Sequence, residues 1–259
     1  MAKGAKWAGQ TGDMRRILGV NFYVGDAAGA IDRVAGGGLV VVPAAPALKE
    51  IGRDPSYRAA LINADLVLAD SAFMVLAWNF LERDSVSRLS GLRYLRELLR
   101  REDVRTPNNT FWIMASPESA RKNLDWLKAQ GIEIPLENVY QAPMYGSTIE
   151  DNFLVEQLQK RRIRHIVITL GGGTQEQLGL YLKRELDYLP SIHCIGAAIA
   201  FLSGDQVRIP DWADRLYLGW LLRCFSSPRR FVPRYLSASK LLRLLMRYRS
   251  ELPVESSGC

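Results

Sequence analysis

The run His165-Ile-Val-Ile-Thr-Leu170 passes without a break into Gly171-Gly172-Gly173, and a helical pattern follows from Thr174 to Leu186. A short apolar run rich in β-branched residues, ending in a glycine turn and a helix, is the repeating unit of a parallel sheet covered on both faces. The same alternation fills the first two hundred residues. Strands are expected over 16–21, 39–43, 65–70, 110–114, 138–142 and 191–195, with helices over 26–36, 54–64, 73–81, 94–101, 117–130 and 149–161 between them. The fold class is therefore α/β, a mostly parallel sheet flanked by helices. Such sheets bind ligands outside the carboxyl ends of their strands. Asp70 and the triple glycine both fall there.

Past Gly204 the alternation stops. Residues 208–212 read as an irregular connector and 216–225 as an apolar helix. A second helical stretch covers 231–249, after a break at Ser226-Ser-Pro-Arg-Arg230. The chain thus divides into an α/β domain over 1–204, a basic helical appendage over 205–249 and a tail over 250–259 that is expected to be disordered, like residues 1–11. No run approaches the roughly 20 apolar residues that span a bilayer, and the N-terminus lacks the apolar core of a secretion signal. The expected location is the cytosol, or a membrane surface facing it. Cys194, Cys224 and Cys259 have no paired spacing, which argues against a disulfide framework or a zinc site. Two histidines, His165 and His193, do not make a His-rich metal centre; a carboxylate-bound magnesium stays open on composition.

The formal net charge is +7, and its distribution matters more than its size. Between Arg208 and Arg249 ten Lys and Arg residues face two acids, Asp211 and Asp214. A basic tail of this kind suits an anionic partner: a diphosphate, an acidic lipid or a nucleic acid. Arginine forks match phosphate oxygens. Apolar residues such as Trp220, Phe225, Leu241 and Leu245 are interleaved with the cations at helical spacing. That pattern describes a helix lying in a membrane interface, and equally a basic helix packed on a core. The interleaving, and the lack of any nucleic-acid-binding motif, speak against a nucleic-acid partner.

Two places carry side chains suited to chemistry. Asp70 ends a strand just before a helix. A carboxylate there can take the proton from an attacking hydroxyl, or it can simply cap the helix. Gly171, Gly172 and Gly173 allow a ligand to approach the backbone at a helix start, which favours anionic oxygens. The turn is neither a dinucleotide fingerprint nor a P-loop. Thr174, Gln175 and Glu176 follow it, placed either to hydrogen-bond a ligand or to face solvent.

Taken together these segments resemble the WecG/TagA/CpsF family, glycosyltransferase family 26, over about residues 21–236. The family's strand ending in Asp-Gly is matched by Ala64-Asp-Leu-Val-Leu-Ala-Asp70, and its Arg-x-x-Gly block by Arg88-Leu-Ser-Gly91. Its Leu-Gly-x-Pro-x-Gln-Glu is matched by Leu170-Gly-Gly-Gly-Thr-Gln-Glu176. Its C-terminal blocks are matched by Arg208-Ile-Pro-Asp-Trp212, Trp220-Leu-Leu-Arg223 and Ser227-Pro-Arg-Arg230. The resemblance implies a Rossmann-like catalytic domain with a C-terminal appendage, acting without a metal or other cofactor. It implies inverting transfer from a UDP-sugar donor onto an undecaprenyl-diphosphate-linked sugar acceptor, on the inner face of the cytoplasmic membrane. Asp70 would be the catalytic base and Gln175 would position the donor sugar. Arg88 and the Gly171–Glu176 turn would help bind substrate. Arg208, Arg223, Arg229 and Arg230 would hold the diphosphate, and the appendage would seat the enzyme on an anionic membrane surface. Self-association is left open.

The departures are local. The family's Thr-Pro-Asn-Pro turn is replaced by Val42-Pro-Ala-Ala-Pro46, its Gly after the Asp is Ser71, the acid after Arg-x-x-Gly is missing, and its Glu before Trp220 is Gly219. These changes fall where donor or acceptor would be touched. They point away from N-acetylmannosamine and toward a GumM-like exopolysaccharide branch. A non-catalytic scaffold of a polysaccharide assembly complex is the competing expectation.

Overall fold

The computed structural model describes residues 12–207, 209–237 and 239–254. Eight strands form one sheet: β1 (Met14–Ile17), β2 (Val20–Tyr23), β3 (Gly38–Val41), β4 (Leu66–Leu68), β5 (Thr110–Met114), β6 (Val139–Gln141), β7 (His165–Ile168) and β8 (Ser191–Cys194). Their spatial order is β1-β2-β4-β3-β8-β7-β5-β6. Only β1 and β2 pair antiparallel; every other neighbouring pair is parallel. The expected α/β class and mostly parallel sheet are observed.

The apolar runs become strands because both of their faces are covered. Every residue of β3, β4, β5, β7 and β8 is buried. Successive side chains divide between two cores, as the period of two requires. Leu39, Val41, Ile166 and Ile168 pack on one face, while Val40, Trp112 and Val167 pack on the other.

The expected strand over 16–21 is instead a hairpin. Leu18 and Gly19 turn the chain with φ of 51° and 75°, the left-handed pair that matches the twist of a two-residue hairpin. Gly19 is also required by proximity, since a Cβ there would lie 2.6 Å from Cβ of Leu252.

That contact corrects the expectation of a disordered tail for residues 250–254; residues 255–259 lie outside the described residues. Leu18 N–H donates to the Arg249 carbonyl at 2.7 Å and Gly19 N–H to the Ser250 carbonyl at 3.0 Å. These bonds satisfy the amides of the hairpin turn, and Pro253 is buried next to Gly52.

The appendage is built from helices Asp211–Arg215, Gly219–Ser226, Pro228–Ser237 and Ser239–Tyr248. The first of these begins at Asp211, inside the segment 208–212 expected to be an irregular connector, and runs on to Arg215. The last packs against helix Ala72–Glu82 and sends Leu241 and Leu245, both fully buried, into the larger core. It is held to the sheet domain by ordinary hydrophobic burial. Among the described residues no helix is long and apolar enough to cross a membrane.

Candidate active site

The loops that follow β3, β4, β5, β7 and β8 open into one cavity of about 970 Å³. The C-terminal helices close its far side through Asp214, Trp220, Arg223 and Tyr235. Of the site residues read from the sequence, Asp70, Arg88, Gly171, Gly172, Gln175 and Arg223 all line this space.

Asp70 lies two residues beyond β4. The question of capping is settled by its neighbour: Ser71 Oγ accepts the Met74 N–H at 3.1 Å and is the N-cap of helix Ala72–Glu82. The Asp70 carboxylate is left to the cavity. Its Oδ1 accepts the Gly91 N–H at 3.1 Å and an Arg88 Nη2–H at 3.3 Å. Withdrawal from water raises its pKa, and the Arg88 charge and the Gly91 N–H only partly oppose that shift. The result is a stronger base than a free aspartate.

Arg88, expected to meet substrate, is turned onto two carboxylates. Its Nε–H donates to the Asp70 carbonyl, and its Nη1 donates to the Asp214 carbonyl at 3.0 Å and to Asp214 Oδ1 at 2.9 Å. Ser90 Oγ–H completes the cluster, donating to Asp214 Oδ2 at 2.6 Å. Asp214, which the sequence reading passed over, is buried. A buried carboxylate needs such partners. It ties the appendage to the loop that holds Asp70.

Gln175 is buried, with its Oε1 accepting the Gly196 N–H at 2.6 Å and its Nε2 donating to Glu176 Oε1 at 3.1 Å. It joins the loop after β7 to the loop after β8. Glu176 neither faces solvent nor lines the cavity. It is fully buried behind Gln175, and its Oε2 accepts the Gly173 N–H at 2.7 Å. Burial pushes its pKa up to about 7. Gly173 takes φ of 97° to begin the helix; neither it nor Thr174, the first helical residue, reaches the cavity wall.

Among the described residues, Arg223 is the appendage cation that lines the site. Its Nη1 donates to Tyr235 Oη and its Nη2 to Gln206 Oε1, both at 3.2 Å. The guanidinium lies over the rings of Phe201 and Phe231 at 5.1 and 4.5 Å. Its Nε–H is buried without a hydrogen-bond partner among the described residues, and its charge is felt at Asp70. Arg229 is exposed and does not line the cavity. Arg208 and the side chain of Arg230 lie outside the described residues.

The two histidines stand in the sheet, away from the cavity. Buried Tyr94 Oη, His193 and His165 form a chain that ends on the half-buried Asp103, with steps of 2.8, 3.2 and 3.2 Å. Among the described residues no three His, Cys, Asp or Glu side chains converge as metal ligands.

A mostly parallel sheet that brings Asp70, Gln175 and a glycine turn to the cavity that Arg223 reaches from the appendage is an α/β arrangement suited to group transfer. The chain belongs to the Glycosyl transferase WecG/TagA/CpsF family, whose profile matches residues 15–254. It is similar to N-acetylglucosaminyldiphosphoundecaprenol N-acetyl-beta-D-mannosaminyltransferase of Bacillus spizizenii, with 23% identity over 211 residues, covering 78% of this chain and 78% of the relative.

Proposed function

We propose that this chain is an inverting glycosyltransferase that moves a sugar from a UDP-sugar onto an undecaprenyl-diphosphate-linked sugar during assembly of a cell-surface polysaccharide or exopolysaccharide. It works as a peripheral enzyme at the inner face of the cytoplasmic membrane. The lipid-diphosphate acceptor is argued from the relative, whose printed name gives that kind of acceptor. The observation that carries the chemistry is that Asp70, Gln175 and Arg223 open onto one cavity from three separate parts of the chain.

In the proposed reaction the acceptor hydroxyl attacks the anomeric carbon from the side opposite the nucleotide. Its proton passes to Asp70, the new carbon–oxygen bond forms, and the bond to the diphosphate breaks. The electron pair of that bond stays on the diphosphate as UDP. Arg223 offsets the charge that develops there, as a preorganised cation in a water-poor site can. The raised pKa of Asp70 suits it to accept the proton while leaving it ionised at higher pH. Arg88 and the Gly91 N–H hold the carboxylate toward the hydroxyl. The Gly171-Gly172 turn, which is open toward solvent, lets the donor approach the backbone.

The test is Asp70→Asn, assayed with a panel of UDP-sugars and a lipid-diphosphate-sugar acceptor, with products read by mass spectrometry. Transfer is expected to fall by about 10³-fold, within the range for loss of a general base, with an unchanged melting temperature. Full activity in the variant removes Asp70 from the mechanism. Failure of every UDP-sugar to bind in calorimetry leaves a scaffold role.

A further inference from the structure

Helix Ala72–Glu82 is apolar nearly all round, the composition of a helix buried on every side. It buries Met74, Val75 and Trp78. Phe73, Leu76 and Phe80, spaced three and four apart on another face, are 39%, 53% and 85% exposed. Phe73 and Leu76 line the same cavity as Asp70. On the appendage Trp220, Val232 and Leu236 line it too, and each is exposed in part. The cavity therefore has two chemically different ends. A polar floor holds Asp70, Gln175 and Arg223, and an apolar mouth lies between helix Ala72–Glu82 and helix Pro228–Ser237.

A nucleotide sugar has no use for that mouth. A ligand with a polar, anionic head at one end and a hydrocarbon chain at the other matches both ends at once, because the polar floor and the apolar walls belong to one continuous cavity, while Arg223 stays with the diphosphate of the donor. We infer that the groove between helix Ala72–Glu82 and helix Pro228–Ser237 holds the first isoprene units of the acceptor's lipid chain. This rests on the acceptor class proposed above. It places a lipid-binding wall on the sheet domain itself, through Phe73 and Leu76, in addition to the appendage. Continuity with the site argues for the chain of the acceptor over a second protein copy, since the apolar walls run directly into the cavity that holds Asp70 and Arg223. Each methylene withdrawn from water is worth roughly fourfold in affinity, so even two or three isoprene units would dominate binding.

The test is calorimetry on the whole chain with farnesyl diphosphate and with inorganic pyrophosphate, neither of which requires transfer. Wild type is expected to bind farnesyl diphosphate at least about 10-fold tighter than pyrophosphate, given that worth per methylene. The double variant Leu76→Gln, Leu236→Gln replaces two exposed side chains and should fold normally, as a melting curve checks. It is expected to lose the preference while keeping its affinity for pyrophosphate. A preference that persists in the double variant overturns the inference, as does a wild type with no preference. So does a variant that keeps the preference and instead loses vesicle binding or changes its sedimentation, which would give the face to the bulk membrane or to a second copy. Because binding is read without transfer, an active Asp70→Asn enzyme would sink the proposed chemistry and leave this result standing.

Discussion

Helix Thr174–Glu185 delivers Gln175 to the cavity and helix Gly219–Ser226 delivers Arg223 along with Trp220, and the two helices are held in opposite ways. The first buries six of its residues, among them Gln175, Glu176, Leu178 and Leu182. The second buries none. One wall of the site is thus fixed by the core of the sheet domain. The other is suspended from a few anchors: Ala213 and Ile209 in a small cluster with Phe201, the Asp214–Arg88 pair, and the last helix docked through Leu241 and Leu245. Burial determines where a wall stands, and its absence leaves room for adjustment.

Breaking the deepest anchor should have the largest effect. Leu245→Ala is expected to lower unfolding free energy by about 3 kcal/mol, the usual cost of a large-to-small change in a packed core, as read by chemical denaturation. A loss well under about 1 kcal/mol would mean that the last helix is only loosely attached. Next is the suspended wall itself. Arg223→Ala should reduce kcat/KM about 100-fold, of the order seen for removal of one preorganised donor, with the denaturation midpoint unchanged. Lysine should not restore the rate, because its point charge cannot span Gln206 and Tyr235 as the fork does.

The contact between the two regions can be sharpened through Asp214. Its negative charge raises the pKa of Asp70. Asp214→Asn removes that charge and lets Arg88 act on Asp70 alone, so the Asp70 pKa falls. In the proposed reaction Asp70 works as the ionised base, so the acidic limb of the kcat/KM profile should move to lower pH. A limb that stays in place or moves up would show that Asp214 serves only as a brace. The smallest effect is expected at Phe225, which is 76% exposed on the unburied helix. Phe225→Ser should leave stability within about 0.5 kcal/mol.

The sheet was legible because strands covered on both faces leave continuous apolar runs, and glycine or polar turns mark their ends. Asp70 was found by its place at the end of such a run, and Arg223 by its place in a family block. What escaped the sequence depends on distant partners. Residues 16–21 read as one strand because a left-handed leucine, Leu18, leaves no mark of its own, although Gly19 beside it could have signalled a turn. Residues 250–254 look like any polar terminus until Leu252 is seen against Gly19. Glu176 was taken for a ligand contact or a solvated side chain, and its burial follows from a helix packed tightly on β3 and β8. Asp214 did have a signal: an acid kept among ten cations. Its partner Arg88 stands 126 positions away, which no local pattern reveals.

The division of labour between Asp70 and Ser71 has a consequence for the history of such chains. The residue that closes the helix and the residue that faces the cavity are neighbours with separate duties, so mutation can silence the second without unravelling the first. If Asp70 is the base proposed above, a lineage could abandon the reaction in one step and still inherit an intact body, free to be kept for whatever it touches.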